Sequence, residues 1–200
     1  MKREQMELKL SEKFGATTGA ILLFIIEVLQ IVIISCAIII PIRYFLVQPF
    51  YVKGASMEPN FYDHEYLIID ELSYRFRLPE RGEIIVFRYP RDPSQFFIKR
   101  IVGLPGETVE VNGGHVILSN SEHPNGITLD EPYLSGVETL GKDRVTLAET
   151  EYFVMGDNRG ESLDSRSFGP IHENDIVGRV WVRGLPLSRI SQFPLPVYNN

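Results

Sequence analysis

The sequence is short of the residue types that several kinds of chemistry require. Cys36 is its single cysteine, which excludes an intrachain disulfide and a cysteine-based metal site. The histidines His64, His115, His123 and His172 have neither HxxxH nor HExxH spacing, so neither a metal nor a cofactor is expected. Lysine and arginine total 20 against 26 acidic residues, a net charge of −6. With no basic excess and no long run of one sign, nucleic acid is not an expected partner. No internal repeat is present. After Leu46 no long segment keeps a helical period, which excludes a helical bundle for the main domain.

Apolar sequence, by contrast, is gathered into one early stretch. Ala20 to Leu46 reads AILLFIIEVLQIVIISCAIIIPIRYFL, and about 20 such residues cross a bilayer. A charge at mid-bilayer costs about 2.5–3.5 kcal/mol. The hydrocarbon core is therefore expected at about 28–44, with Glu27 at one interface and Arg43 snorkelling to the other. A cleaved signal peptide would have a shorter apolar core. Lys2, Arg3, Lys9 and Lys13 precede the stretch, and Lys53 follows it. This bias predicts a single-pass protein of the cell membrane, with the N-terminus in the cytoplasm and the main domain outside. The expected organisation is a cytoplasmic segment 1–19, an anchor 20–47 in the lipid bilayer, and an extracytoplasmic domain 48–200.

That domain reads as mainly β. Short runs rich in β-branched and aromatic residues recur at 65–70, 83–88, 96–103, 108–111, 115–118, 152–156 and 176–182. Glycine, proline, asparagine and aspartate separate them, and VNGGHV reads as a hairpin turn. An antiparallel β-sheet domain with long loops is predicted. Residues 119–150 are polar and read as an irregular insertion, and FPLPVYNN at the end reads as loop.

Three stretches contain groups that could carry chemistry. In QFFIKRIVG, alternation on a strand puts Phe97, Lys99 and Ile101 on one face and Ile98, Arg100 and Val102 on the other. A lysine between two large apolar neighbours is expected to be desolvated, with a lowered pKa, and could then act as a general base. The alternative is a lysine at a strand end that snorkels to water. In YVKGASMEPNF, Ser56 follows the small residues Gly54 and Ala55, which leave room for a substrate backbone and for N–H donors around an oxyanion. Ser56 could be a nucleophile paired with a lysine, or an ordinary turn serine. MGDNRGESLDSRSFGP, residues 155–170, is dense in groups that can pair internally. A calcium loop fails there, because Arg159 stands where a ligand is needed. A solvated loop is the other reading.

The ordered set of an apolar span, GASMEP, RGEIIVF, KRIVGLPGE and GDNRGESLDSRSFG, over about 28–183, resembles the type I signal peptidases. These are membrane-anchored serine–lysine endopeptidases that remove signal peptides from exported proteins. The resemblance implies Ser56 as nucleophile, Lys99 as general base and Ser162 as a hydroxyl that orients the lysine. It also implies Asp164 with Arg166 as a supporting ion pair, and Asp157 with Arg100 as a second. Expected substrates are secretory preproteins with small residues at positions −1 and −3. The Ser56 N–H would donate to the oxyanion. Gly54 stands where some relatives have a serine whose hydroxyl adds a donor, and Gly160-Glu161 departs from the usual late motif. A related processing peptidase with a dedicated pilin or conjugation substrate is the alternative, and a non-catalytic membrane-anchored β domain is a second.

Overall fold

The computed structural model describes residues 5, 12–45, 48–134, 136–196 and 198, without the side chains at 41–48. Lys2, Arg3 and Lys9, on which the predicted orientation rests, and the snorkelling Arg43 side chain lie outside the described part. Two units separate along the chain, 1–46 and 47–200.

In the first unit, helix α1 runs from Ala16 to Phe45, 30 residues, or about 45 Å of rise. Its Ala16–Ile40 portion has a mean hydropathy of 2.8 and is long and apolar enough to cross a membrane. Phe24, Ile26, Leu29, Val32 and Ile34 are all exposed and point in different directions around the whole helix. A helix that is apolar on every side suits lipid better than a water-facing surface. It begins four residues before the apolar stretch. Its hydrogen bonds start with the Gly19 N–H on Gly15 O at 2.8 Å, and Thr17, Thr18 and Gly19 extend it without adding hydropathy.

The second unit is built of antiparallel strands. They are β1 (Gln48–Tyr51), β2 (Tyr66–Asp70), β3 (Ile84–Tyr89), β4 (Asp92–Gly103), β5 (Thr108–Asn112), β6 (His115–Ser119) and β7 (Ile127–Thr128). After these come β8 (Asp143–Thr146), β9 (Glu151–Met155), β10 (Ile171–His172), β11 (Ile176–Leu185) and β12 (Ser191–Gln192). A short helix, α2 (Ser165–Phe168), precedes β10. One sheet has the order β1-β2-β11-β3-β4-β9-β10, with β12 beside β11, and a smaller one has the order β7-β6-β5-β8. β3 lies inside the larger sheet, and its first four residues are all buried. This is why it reads as a continuous apolar run rather than an alternating one.

β4 is the strand that organises the site. Its register against β3 puts Lys99 opposite Ile85 and Phe97 opposite Phe87. That face packs into a core with Ile101, Val154 and Ile171. The opposite face, with Ile98, packs with Met57, Phe61, Val86 and Val180. β9 pairs with β4 only from Arg100 to Gly103, and then leaves it. A third core, around Val102, Val109, Val116, Leu129 and Phe153, joins the small sheet to β4 and β9.

The segment expected to be irregular, 119–150, contributes β7 and β8 instead. β8 pairs with β5 from Thr108↔Thr146 to Val111↔Asp143. It is only four residues long and alternates half-buried with exposed positions, so its composition is that of a loop. Leu129, Leu134 and Leu147 from this segment are buried. β1 also lacks a strand-like signature in the sequence, because QPFY is short and contains a proline. Pro49 is tolerated there because β1 is an edge strand.

Candidate active site

The loop 52–65 that carries Ser56 is closed at its base by Val52 N–H on Glu65 O at 2.9 Å and His64 N–H on Val52 O at 3.1 Å. Glu65 is itself buried against Arg183 at 3.1 Å. Gly54 sits at φ +88°, a region that favours glycine, and its N–H donates to Asp63 Oδ1 at 3.0 Å. The turn is then tied by Glu58 N–H on Ala55 O at 3.1 Å and Phe61 N–H on Met57 O at 2.9 Å. Met57 and Phe61 are buried in the core beneath. Apolar residues after the serine therefore plug the loop into the sheet and leave Ser56 half-buried at the surface.

Lys99 comes to Ser56 from β4, where β9 has already departed. Its Nζ lies 2.8 Å from Ser56 Oγ and donates to Ile98 O at 2.9 Å. The residue is 3% exposed, and Nζ lies 5.4 Å from the Phe97 ring centre. Desolvation lowers the lysine from 10.5 to about 8, against the carboxylates of Asp164 and Asp157, which raise it. An amine with this pKa is substantially neutral near pH 8, and its lone pair can then accept the Ser56 proton.

The loop after β9 closes the third side. Gly156 is required there, because a Cβ would fall 2.2 Å from Ser162 Oγ and 2.4 Å from Ser56 O. Arg100, on the opposite face of β4 from Lys99, holds Asp157 through two hydrogen bonds, 2.8 Å to Oδ1 and 2.7 Å to Oδ2. Asn60 adds a third bond to that carboxylate at 2.8 Å. Asp164 caps α2 and binds Arg166 bidentately at 2.9 and 2.8 Å, while Gly156 N–H donates to it at 3.1 Å. Burial would raise the Asp164 carboxyl, but Arg166 and these hydrogen bonds bring it below its ordinary value.

Ser162, which the resemblance implies as a hydroxyl that orients the lysine, lies in the same loop. Its Oγ is buried and makes no hydrogen bond to Lys99; it lies instead by the Asp164 carboxylate, which it helps to hold low. The donors of Lys99 go to Ser56 and to Ile98 O instead, because the lysine folds back over its own strand.

Contacts that the sequence did not show complete the frame. Arg159 is buried, donates to Gly156 O at 3.1 Å, and pairs with Glu131 and Thr139 from the 119–150 segment. Tyr133 lies with its ring 4.0 Å from the Arg100 guanidinium. Arg166 also reaches Leu140 O at 3.0 Å and Arg159 O at 2.7 Å. Only the density of pairing groups in 155–170 hinted at them, because their partners are distant in sequence. Beside Ser56 and Lys99 runs a groove of about 570 Å³, with Phe50, Val52, Val86, Phe96 and Ile98 in its walls.

A serine hydroxyl within hydrogen-bond reach of a desolvated lysine, beside a groove with apolar residues in its walls, has the makings of an acyl-transfer site. Comparison with known proteins identifies the family. The family model described as "Signal peptidase, peptidase S26" matches residues 25–184. A protein named probable signal peptidase I-2 from Synechocystis sp. is 37% identical, over 82% of this chain and 75% of that protein. A signal peptidase I from Leptolyngbya laminosa is 34% identical over 87% of each chain. A solved signal peptidase I from Enterococcus faecalis V583 is 33% identical, covering 52% of this chain and 97% of that one, with a TM-score of 0.45. The chain belongs to the type I signal peptidases.

Proposed function

We propose that this peptidase is anchored in the cell membrane by α1, with its N-terminus in the cytoplasm, and cleaves secretory preproteins by a Ser56–Lys99 dyad. The observation that carries the dyad is the 2.8 Å approach of a buried Nζ to Ser56 Oγ. Neutral Lys99 takes the hydroxyl proton as Oγ attacks the scissile carbonyl. The oxyanion is stabilised by the Ser56 N–H. Collapse of the tetrahedral adduct breaks the peptide bond, and Lys99 hands its proton to the departing amine of the mature protein. Water, deprotonated by the same lysine, then releases the signal peptide from its ester and returns the proton to Ser56.

Arg100–Asp157 and Arg166–Asp164 hold the loop that faces the dyad. We assign the buried Ser162 hydroxyl as the group that steadies Lys99 when its Nζ releases Ile98 O and keeps Ser56. The groove between Val52, Val86 and Ile98 would take small side chains at positions −1 and −3.

The test is cleavage of a preprotein with alanine at −1 and −3 by the full chain in detergent. Ser56→Ala and Lys99→Ala should each abolish it while leaving the unfolding transition cooperative. Activity surviving either change would reject the dyad.

A further inference from the structure

Asn158 stands between two residues locked by buried ion pairs, Asp157 on Arg100 and Arg159 on Glu131. It grips the Ser56 turn twice. Its main-chain N–H donates to Ser56 O at 3.0 Å, and its side-chain Nδ2 donates to Ala55 O at 3.1 Å. These two carbonyls belong to the peptide groups on either side of the nucleophile. The acceptors leave no ambiguity about the amide, since only its NH₂ end can donate to a carbonyl.

The Ala55–Ser56 peptide is the one whose N–H belongs to Ser56. A peptide group is planar and trans, so fixing its oxygen fixes the direction of its N–H on the opposite side. Ala55 O accepts from Glu58 N–H as well, at 3.1 Å. A carbonyl that accepts two hydrogen bonds polarises its own peptide and makes the attached N–H a stronger donor. Among the described residues none accepts from the Ser56 N–H, so it stands ready for a ligand. Gly54 supplies no hydroxyl to share that task.

We propose that Asn158 is a positioning residue for the oxyanion site: its side-chain amide aims and polarises the Ser56 N–H by holding Ala55 O. This rests on the acyl-transfer reading above. Its physical content is that the amide acts on the transition state and leaves the ground state alone. The substrate carbonyl gains charge only as Oγ attacks, so a better aimed donor raises kcat more than it lowers KM. Lys99 lies on another element, and its titration should not respond.

The experiment uses the full chain in detergent with a cleavable peptide bearing alanine at −1 and −3, and a peptide aldehyde with alanine at its carbonyl end. Asn158→Ala should lower kcat by about 10- to 100-fold with KM held within about threefold, and should weaken the aldehyde, which forms a tetrahedral adduct, by a similar factor. Asn158→Asp is nearly isosteric but sets a carboxylate against Ala55 O. It should be at least as damaging. In Asn158→Ala, which adds no charge, the acid limb of the pH–rate profile should stay where the wild type has it; Asn158→Asp adds a carboxylate beside Asp157 and should move that limb upward.

Three results would overturn the proposal. They are kcat within about twofold of wild type in both variants, a loss carried by KM alone, or a displaced acid limb in Asn158→Ala, which would tie Asn158 to Lys99 instead. If Asn158→Ala does not fold, Asn158→Asp decides, because both keep the main-chain bond to Ser56 O. Failure of the underlying function is separate and visible: Ser56→Ala would then still cleave.

Discussion

Replacing Lys99 by methionine should make the protein more stable at neutral pH, and the gain should vanish in alkali. Burial lowers this amine from 10.5 to about 8. At about 1.36 kcal/mol per unit, the difference is about 3 kcal/mol. Below the folded value both states carry the proton, and the folded state bears the whole desolvation penalty. Between the folded and unfolded values the unfolded chain keeps a proton that the folded chain has released. Folded stability therefore rises with pH through that window. Above 10.5 both states are neutral and the penalty is gone. Methionine is similar in length and carries no charge, so it shows no such step. Asp157 and Asp164 keep their arginines at 2.7 and 2.8 Å and are not orphaned by the change. The assay is urea unfolding of the full chain in detergent micelles, for both proteins, from about pH 7 to about pH 11. Trp181, the single tryptophan, half-exposed on β11, reports the transition. Methionine should lead by about 3 kcal/mol at the acid end, with the gap closing as pH rises. A constant gap, or a wild type that is more stable at pH 7, would refute a desolvated lysine.

Two further perturbations address the frame around the dyad. Asp164 raises the lysine, so Asp164→Asn should move the acid limb of kcat/KM below 8, and an upward shift would contradict the electrostatic account. Arg100→Met leaves the Asp157 carboxylate, 0% exposed, without its bidentate partner. A loss of about 3–5 kcal/mol in urea unfolding is expected, with partial recovery when Asp157→Asn is added. Equal loss in single and double variants would mean that the arginine matters for packing alone.

The sequence by itself determined the anchor-like helix, the antiparallel β class and the strands β3, β4, β9 and β11. These follow from hydropathy and from two-residue alternation, which act over a few neighbouring residues. It also marked Lys99, whose apolar companions Phe97 and Ile101 share its face and predict desolvation before any distance is known. What it left open was whether that lysine snorkels to water or is buried. Tertiary structure decided this, because β9 leaves β4 after Arg100 and the Ser56 turn faces the edge of the strand it vacates. The same holds for the 119–150 segment. Its composition is polar, yet Glu131 and Thr139 pair with Arg159, 28 and 20 residues away, and β8 completes the small sheet. A side chain's partner across such separations is set by how strands register, and no local pattern encodes it. Asn158 is the sharpest case. In the sequence it is one polar residue in a polar loop, and in the fold it holds the carbonyls on both sides of Ser56, because β9 ends where the serine turn begins.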